Sequence, residues 1–274
     1  MNEELGSEEG WEHAAWGLDR LSTQTRLLDP LTERFLLEAG LRPGMRVLDV
    51  GAGPGDVTFL AAGIVGPQGR VVSLEASDSA VWAIRCRAME RGLTHVHALQ
   101  GTLDEARFHA PFDAVIGRFA LMSAPEVPDT LYRLASNLRS GGLLAVQELD
   151  FGGARAIPSS PTFERVLSWV TRTLGKVGVH TRLGLELRRH FLDAGLPDPS
   201  LRIEENIGGG PSFPGYAMLG EVLQGLLPTM GRLGLVRPED IDVPAVVRLL
   251  HEEVGAYGGV LVLPSLVGAW TTLP

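Results

Sequence analysis

The chain has 274 residues, 45% of them hydrophobic, and a formal net charge of −9 at pH 7. This size allows one large or two small globular domains, and the negative charge argues against a general nucleic-acid surface, which needs clustered lysine and arginine. Cys86 is the only cysteine, which excludes an intramolecular disulfide and a thiolate metal cluster and fits a reducing compartment. No run of about 18 apolar residues occurs, so we expect a cytoplasmic protein without membrane contact.

The amino-terminal region divides into two parts. Residues 1–10 are short of apolar groups and acidic, and we expect them to be disordered. Residues 11–40 carry apolar side chains at helical spacing, with an interruption at Pro30. The pattern predicts leading helices before the first strand.

From residue 45 to residue 151 short apolar strands alternate with amphipathic helices, a pattern typical of parallel β-α-β units. Strands are expected near 45–50, 70–75, 94–100, 112–118 and 142–149, and helices near 55–64, 78–91 and 126–139. In open sheets of this kind ligands bind beyond the carboxyl ends of the strands. Residues that follow each predicted strand are therefore the first candidates for a site.

The remainder of the chain has weaker patterns. Helices are predicted over 161–178 and 183–194, a sixth strand over 201–207, and a final apolar strand over 258–263. The segment 212–255 is too long for a hairpin and carries helical patterning around 217–227 and 243–254. It is predicted to be a helical insertion.

A glycine-rich turn at residues 51–55 follows the first predicted strand. Glycine lacks Cβ and tolerates positive φ, so such a turn can bring backbone N–H groups close to a ligand. A dinucleotide fingerprint would need a third glycine where Asp56 stands, and the only lysine of the chain, Lys176, lies too far away for a phosphate-binding loop. The turn is predicted to hold a cofactor of another kind.

Five motifs in order over residues 45–150 resemble those of the class I S-adenosylmethionine-dependent methyltransferases. Asp49 stands two positions before the first glycine, as an acid does in that family, and the second strand ends in Glu75, where an acid of that family holds the two ribose hydroxyls. The three others are residues 100–103 after the third strand, 112–118 as the fourth, and 138–146 leading into the fifth. The third motif departs from the family pattern, since Thr102 stands where an Asp commonly contacts adenine. The resemblance is greatest to the small-molecule and quinone-biosynthesis branch.

The resemblance implies an α/β, Rossmann-like fold with a seven-stranded, mostly parallel sheet whose last strand is antiparallel and lies between the fifth and sixth. It also implies a helical lid at 11–40 and a methyltransferase domain at 41–274 with a helical cap at about 212–255. The implied cofactor is S-adenosyl-L-methionine. The cofactor-binding residues expected from the motifs are Asp49, Gly51, Ala52, Gly53, Pro54, Gly55, Glu75, Ala76, Gly101, Thr102, Leu103, Arg118 and Phe119.

The implied reaction is in-line methyl transfer to oxygen, or to nitrogen or carbon, of a small and largely apolar metabolite of secondary metabolism. Candidates for a proton acceptor are His13, His180 and Glu148. Candidates for substrate contact are Trp16, Met122, Phe151 and Met218.

Arg118 at the end of the fourth strand admits two interpretations. It either forms an ion pair with an acid such as Glu148 or Asp150 at the end of the adjacent strand, or orients the cofactor or substrate through its fork of donors. Because its charge would repel a cation, no metal site is expected.

Two other functions remain open at this point. Some proteins of this fold keep the cofactor and catalyse cyclisation, decarboxylation or hydroxylation, and a sensor of S-adenosylmethionine could act through a partner protein. A homodimer contact through 212–255 is compatible with either function.

Overall fold

The computed structural model describes residues 21–274, which form two compact units. We call residues 28–149, 183–203 and 266–274 the sheet unit, and residues 21–27, 150–182 and 204–265 the helical unit. No helix within these described residues is long and apolar enough to cross a membrane.

The sheet unit is built on seven strands within residues 21–274. They are β1 Arg46–Val50, β2 Arg70–Glu75, β3 Val96–Gln100, β4 Phe112–Arg118, β5 Leu138–Asp150, β7 Ser200–Glu204 and β10 Ser265–Thr272. Their order in the sheet is β3-β2-β1-β4-β5-β10-β7. β1 pairs in parallel with β2 and β4, β2 with β3, and β4 with β5. The predicted Rossmann-like fold class is confirmed.

The last strand runs antiparallel to its neighbour. The amide of Gly141 donates to the carbonyl of Leu273 at 3.1 Å, and the amide of Leu273 donates to the carbonyl of Gly142 at 2.9 Å. These bonds join the start of β5 to the residue after β10, so the two strands run in opposite directions. β10 lies between β5 and β7, as the resemblance implied.

The prediction that this last strand lies over 258–263 is wrong. That apolar segment forms β9, Val260–Val262, which pairs antiparallel with β6, Arg155–Ile157, and β8, Ile207–Gly208, in a small sheet of the helical unit. The last strand of the main sheet is the next segment, β10. Its sequence contains small and hydroxylated residues, which weakened its strand pattern.

Helices of the sheet unit cover the strands. Phe35 and Leu36 of α1 are each 1% exposed and pack in one core with apolar residues of α2, α3 and the strands. α1 continues through Pro30, where an interruption was expected. The helices are α1 Leu21–Ala39, whose first seven residues belong to the helical unit, α2 Asp56–Val65, α3 Asp78–Glu90, α4 Val127–Ala135 and α6 Leu183–Asp193.

Three helices and the small sheet make up most of the helical unit. α5 spans Pro161–Lys176, α7 spans Gly215–Arg232 and α8 spans Val243–Gly255. Ser160 caps the start of α5, since its hydroxyl accepts the amide of Phe163 at 3.0 Å. The Glu253 carboxylate of α8 accepts the Thr162 hydroxyl at 2.6 Å. This cap satisfies helix amides that would otherwise lack partners. α7 and α8 are the two helices predicted within 212–255.

Gly268 tests how closely α1 packs on the sheet. A Cβ at this position of β10 would lie 2.3 Å from the ring of Phe35, so we expect Gly268→Ala to lower the free energy of unfolding by roughly 1–3 kcal/mol through overpacking. Gly63→Ala in α2 is the matched control, because nothing lies within 4 Å of its added Cβ and alanine favours a helix by about 1 kcal/mol. Urea unfolding of both variants measures the difference. Equal effects would contradict this account of the packing.

Candidate functional site

The glycine-rich turn connects β1 to α2 in the sheet unit. Gly51, Gly53 and Gly55 have φ values of 65°, 52° and 93°, in the left-handed region that other residues rarely adopt. A Cβ on Gly55 would also lie 2.8 Å from Ile84 of α3. The alternating glycines are therefore required by the backbone path, which leaves a turn almost without side chains.

An ion pair supports this turn from α3. Arg87 donates to the Asp56 carboxylate at 3.0 Å and to the carbonyl of Pro54. Asp56 is the residue that breaks the dinucleotide fingerprint, and here it forms the first turn of α2. The role of Arg87 was missed in the sequence, since nothing local links it to Pro54, 33 positions away.

Glu75 joins the glycine turn to the end of β2. One carboxylate oxygen, Oε2, accepts the amide of Gly53 at 2.7 Å, and the other, Oε1, accepts the amide of Ser77 at 3.0 Å. A carboxylate oxygen can accept more than one hydrogen bond, so both oxygens keep acceptor capacity. The arrangement can accept two neighbouring hydroxyl groups of a ligand while it holds the turn.

Asp49 lies at the base of the turn and is buried. Its Oδ2 accepts the hydroxyl of Thr58 at 2.6 Å, whereas its Oδ1 has no hydrogen-bond partner among residues 21–274. Burial raises the pKa of Asp49 to about 7, although the Thr58 hydroxyl and the Arg118 charge oppose the shift. A buried acceptor without a partner is costly in a folded protein, and a ligand donor at this position would relieve that cost.

The turn after β3 brings Gly101, Thr102 and Leu103 to the same edge of the sheet. The amide of Gly101 donates to the carbonyl of Glu75 at 3.0 Å. The amide and the hydroxyl of Thr102 donate to the carboxylate of Glu105 at 3.2 and 3.0 Å. Glu105 thus brings an acid to the turn whose expected Asp is replaced by Thr102.

Arg118 pairs with helix α1. Its Nη1 donates to Asp29 at 3.1 Å and to the hydroxyl of Thr32 at 2.9 Å. Arg118 thus forms the ion pair of the first alternative, but its acid is Asp29, 89 positions away in the leading helix, and not an acid at the end of the adjacent strand. Burial raises the pKa of Asp29, and the Arg118 charge opposes that shift.

Glu148 is fully buried in β5. Its Oε1 accepts the amide of Leu121 at 2.9 Å. Burial raises its pKa to about 8, although the nearby backbone amides of Leu121, Met122 and Ala120 oppose the shift. Glu148 is 0% exposed in the part of the chain that the structure describes, so a substrate would not reach its carboxyl group, and we do not propose it as the proton acceptor.

The other predicted residues are dispersed. His13 and Trp16 lie outside the described residues. Met122 is buried in the sheet unit. In the helical unit, Phe151 opens a short helical turn at the end of β5, Met218 is half-buried on α7, and His180 is exposed after α5.

The sheet unit therefore assembles one site at the carboxyl ends of its strands. The glycine turn, Asp49, Glu75 and the residues after β3 and β4 follow consecutive strands of the order β3-β2-β1-β4. Of the supporting residues not predicted, Thr58 could have been found, because it lies in the first turn of the helix that follows Asp49. Asp29 could not have been found, since no sequence spacing indicates its pairing with Arg118, 89 positions away.

Comparisons of the sequence with known proteins match about half of the chain, in a range that includes the proposed site. Residues 41–173 match the family model described as a methyltransferase domain. The ubiquinone/menaquinone biosynthesis C-methyltransferase UbiE of Ectopseudomonas mendocina is 36% identical over 129 residues, which cover 46% of this chain and 50% of that protein. Nocamycin O-methyltransferase of Saccharothrix syringae is 35% identical over 126 residues, covering 46% and 45%. The chain thus spans about half the length of these curated relatives.

Solved structures extend the likeness in fold to most of the chain. The YcgJ protein of Bacillus subtilis superposes with a TM-score of 0.57 at 17% identity, over 90% of this chain and 99% of that one. The [4+2]-cyclase SpnF superposes with a TM-score of 0.54 at 19% identity, over 95% and 86%. At these identities the likeness shows the fold alone.

The two buried carboxyl groups predict how stability depends on pH. Both pKa values lie higher in the folded chain than their ordinary values of 3.8 and 4.5, so between about pH 4 and pH 8 the folded state keeps protons that the unfolded state releases. The free energy of unfolding should therefore fall as pH rises through this range, by up to about 1.4 kcal/mol per pH unit for each group. Asp49→Asn and Glu148→Gln should each flatten the slope. Urea unfolding at several pH values measures it, with Glu90→Gln as the exposed control, and an unchanged slope in both variants would contradict the assignment.

Proposed function

We propose that this chain, whose residues 41–173 belong to the class I S-adenosylmethionine-dependent methyltransferases, transfers a methyl group from S-adenosylmethionine to a small, largely apolar metabolite. The observation that carries the proposal is the Glu75 carboxylate, which holds the glycine turn and keeps an acceptor on each oxygen. The relatives are named for carbon and for oxygen acceptors. Oxygen is our first choice of acceptor, and the assay below distinguishes it from carbon and nitrogen.

The residues of the sheet unit fit the cofactor in chemistry. Glu75 would accept the two ribose hydroxyls, and the glycine turn would let the amino-acid portion of the cofactor approach the backbone. Asp49 would gain a donor for its unpartnered Oδ1, and the backbone amides after β3 would face the adenine. We propose the full set of thirteen residues named from the sequence motifs as the cofactor site, with Arg118 acting through its contact with α1.

When bound, the cofactor supplies a sulfonium methyl group that is electrophilic. The chain would hold the acceptor hydroxyl in line with that methyl group, and the hydroxyl proton would pass to a base such as His180 or His13. The chain must align the acceptor and exclude water. The apolar turn Phe119–Met122 suits this task, because it offers no side chain that would hold water beside the methyl group.

Substrate contact is proposed for residues in three places. Met122 follows β4 in the sheet unit, Phe151 and Met218 belong to the helical unit, and Trp16 precedes the described residues. All four side chains are apolar or aromatic, which supports an apolar acceptor. His180 is the remaining histidine candidate for the proton acceptor, together with His13.

Glu75 gives the first test of this function. We expect calorimetric titration to show binding of S-adenosylmethionine and its demethylated product to the native chain, and a roughly 10- to 100-fold weaker affinity in Glu75→Ala, since hydrogen bonds to a charged group contribute about 1.5–3 kcal/mol each. Glu90→Ala, at the exposed end of α3, is the matched control and should bind as the native chain does. Circular dichroism checks that Glu75→Ala is folded. Unchanged affinity in that variant would remove the main support for the proposal.

The second test separates chemistry from binding. We expect His180→Asn to lower kcat by about 10²-fold or more for a hydroxyl acceptor, with the affinity for S-adenosylmethionine unchanged, because general base catalysis contributes about 10²- to 10⁴-fold. His109→Asn, in an exposed loop, is the control. Release of labelled methyl from the cofactor is followed over a panel of phenols, quinols and amines, and mass spectrometry of the product identifies the methylated atom.

Other outcomes of these assays are informative. An unchanged kcat in His180→Asn would exclude His180 as the base. Conversion of a metabolite without loss of the cofactor methyl group would indicate a non-methylating reaction, as in the cyclase that shares the fold. Cofactor binding without conversion of any metabolite would indicate a sensor.

A further inference from the structure

We propose that Glu148 is a positioning residue, whose buried carboxyl group fixes the turn at residues 119–122 beside the glycine turn and thereby sets the geometry of the cofactor site. This inference rests on the proposed function for its consequence in catalysis. The contacts on which it depends lie wholly within the sheet unit.

The first observation is the convergence of three consecutive amides on one carboxyl group. The amide of Leu121 donates to Oε1 of Glu148 at 2.9 Å, and the neighbouring amides of Ala120 and Met122 lie close enough to the carboxyl group to oppose the rise of its pKa. Successive backbone amides that point to one place form a concave site for an anionic or acceptor group. Here the acceptor comes from the chain itself, and Glu148 is 0% exposed, so water does not substitute for it.

The second observation is strain in the residue before these amides. Phe119 has a φ of 65° and is the one non-glycine residue in the left-handed region within the described part of the chain. A side chain in this region costs free energy, so the surrounding contacts must hold it there. The amide of Phe119 donates to the carbonyl of Gln147 at 2.8 Å. Two adjacent residues of β5 therefore hold the turn, Gln147 by its backbone carbonyl and Glu148 by its side chain.

The third observation connects the turn to the cofactor site. A Cβ on Gly51, the first glycine of the turn after β1, would lie 3.5 Å from the Cβ of Ala120. A Cβ on Gly117 would lie 2.9 Å from the same atom. Ala120 thus packs directly against the backbone that is proposed to receive the cofactor. A shift of the turn by a fraction of an ångström would move Phe119 and change the space beside Gly51.

These contacts require an acceptor at position 148. An apolar side chain there would leave the buried amide of Leu121 without its partner, which destabilises the turn locally. Glutamine keeps a carbonyl oxygen in the same position, whereas aspartate keeps the carboxyl group but is shorter by one methylene. The side-chain reach and the acceptor, not the charge, are therefore the properties to test.

The experiment compares four variants of the full chain by two measurements. Glu148→Leu, Glu148→Asp and Glu148→Gln change the acceptor, its reach or its charge, and Leu144→Ala is a control that creates a cavity on the same face of β5. Amide hydrogen exchange of residues 119–122 reports the turn, and calorimetry reports the affinity for S-adenosylmethionine. Glu148→Asp provides the loss-of-contact variant should Glu148→Leu fail to fold.

We expect Glu148→Leu and Glu148→Asp to exchange these amides at least about tenfold faster and to bind S-adenosylmethionine at least about tenfold more weakly, whereas Glu148→Gln stays within about threefold of the native chain. Leu144→Ala should lose stability but keep its affinity. If Glu148 only stabilised the fold, Glu148→Gln would not keep the native values while Leu144→Ala lost stability without losing affinity.

Three results would overturn the inference. The first is amide exchange at residues 119–122 as slow in Glu148→Leu and Glu148→Asp as in the native chain. The second is native affinity for S-adenosylmethionine in both variants, and the third is a loss of that affinity in Leu144→Ala equal to theirs. Failure of the native chain to bind S-adenosylmethionine would instead count against the proposed function. In that case the exchange measurement still decides whether Glu148 holds the turn.

Discussion

The hydrogen bonds of the Glu75 carboxylate are the interaction on which the site depends. The left-handed glycines give the turn after β1 its path, but they leave it with almost no side chains to hold that path. Glu75 supplies the missing constraint, because one oxygen takes the amide of Gly53 and the other the amide of Ser77. The ends of β1 and β2 are thereby fixed to each other. The carboxylate that we propose to bind the ligand is therefore also one that holds the fold.

Buried acids recur around this turn at a cost to stability. Asp49 and Glu148 are both nearly inaccessible, and each keeps one oxygen without a hydrogen-bond partner within residues 21–274. A core built for stability alone would place apolar groups there. Each acid instead holds a part of the site, the hydroxyl of Thr58 in one case and the turn after β4 in the other. Such departures from stable packing are expected where function has set the sequence.

Local patterns predicted what is local in the structure. The strand, glycine turn and helix around Asp49, and Glu75 at the end of the next strand, follow from residue order and backbone chemistry. Two predictions failed because the decisive contacts are distant. Arg118 meets Asp29 across 89 positions, and the sequence pattern places the last strand at Val260–Val262 because that segment is the more apolar, although pairing with β5 and β7 selects β10.

The family match and the structure divide the chain in a way that bears on specificity. The match ends at residue 173, so it includes the glycine turn, Glu75 and the turn after β4 but not α7 and α8. The matched residues thus include the whole of the proposed cofactor site. The acceptor differs among the relatives, from carbon in one to oxygen in another. Of the residues proposed for substrate contact, Met218 of α7 lies beyond the matched range, and we therefore expect Met218→Ala to change the preference among acceptors while the affinity for S-adenosylmethionine is retained.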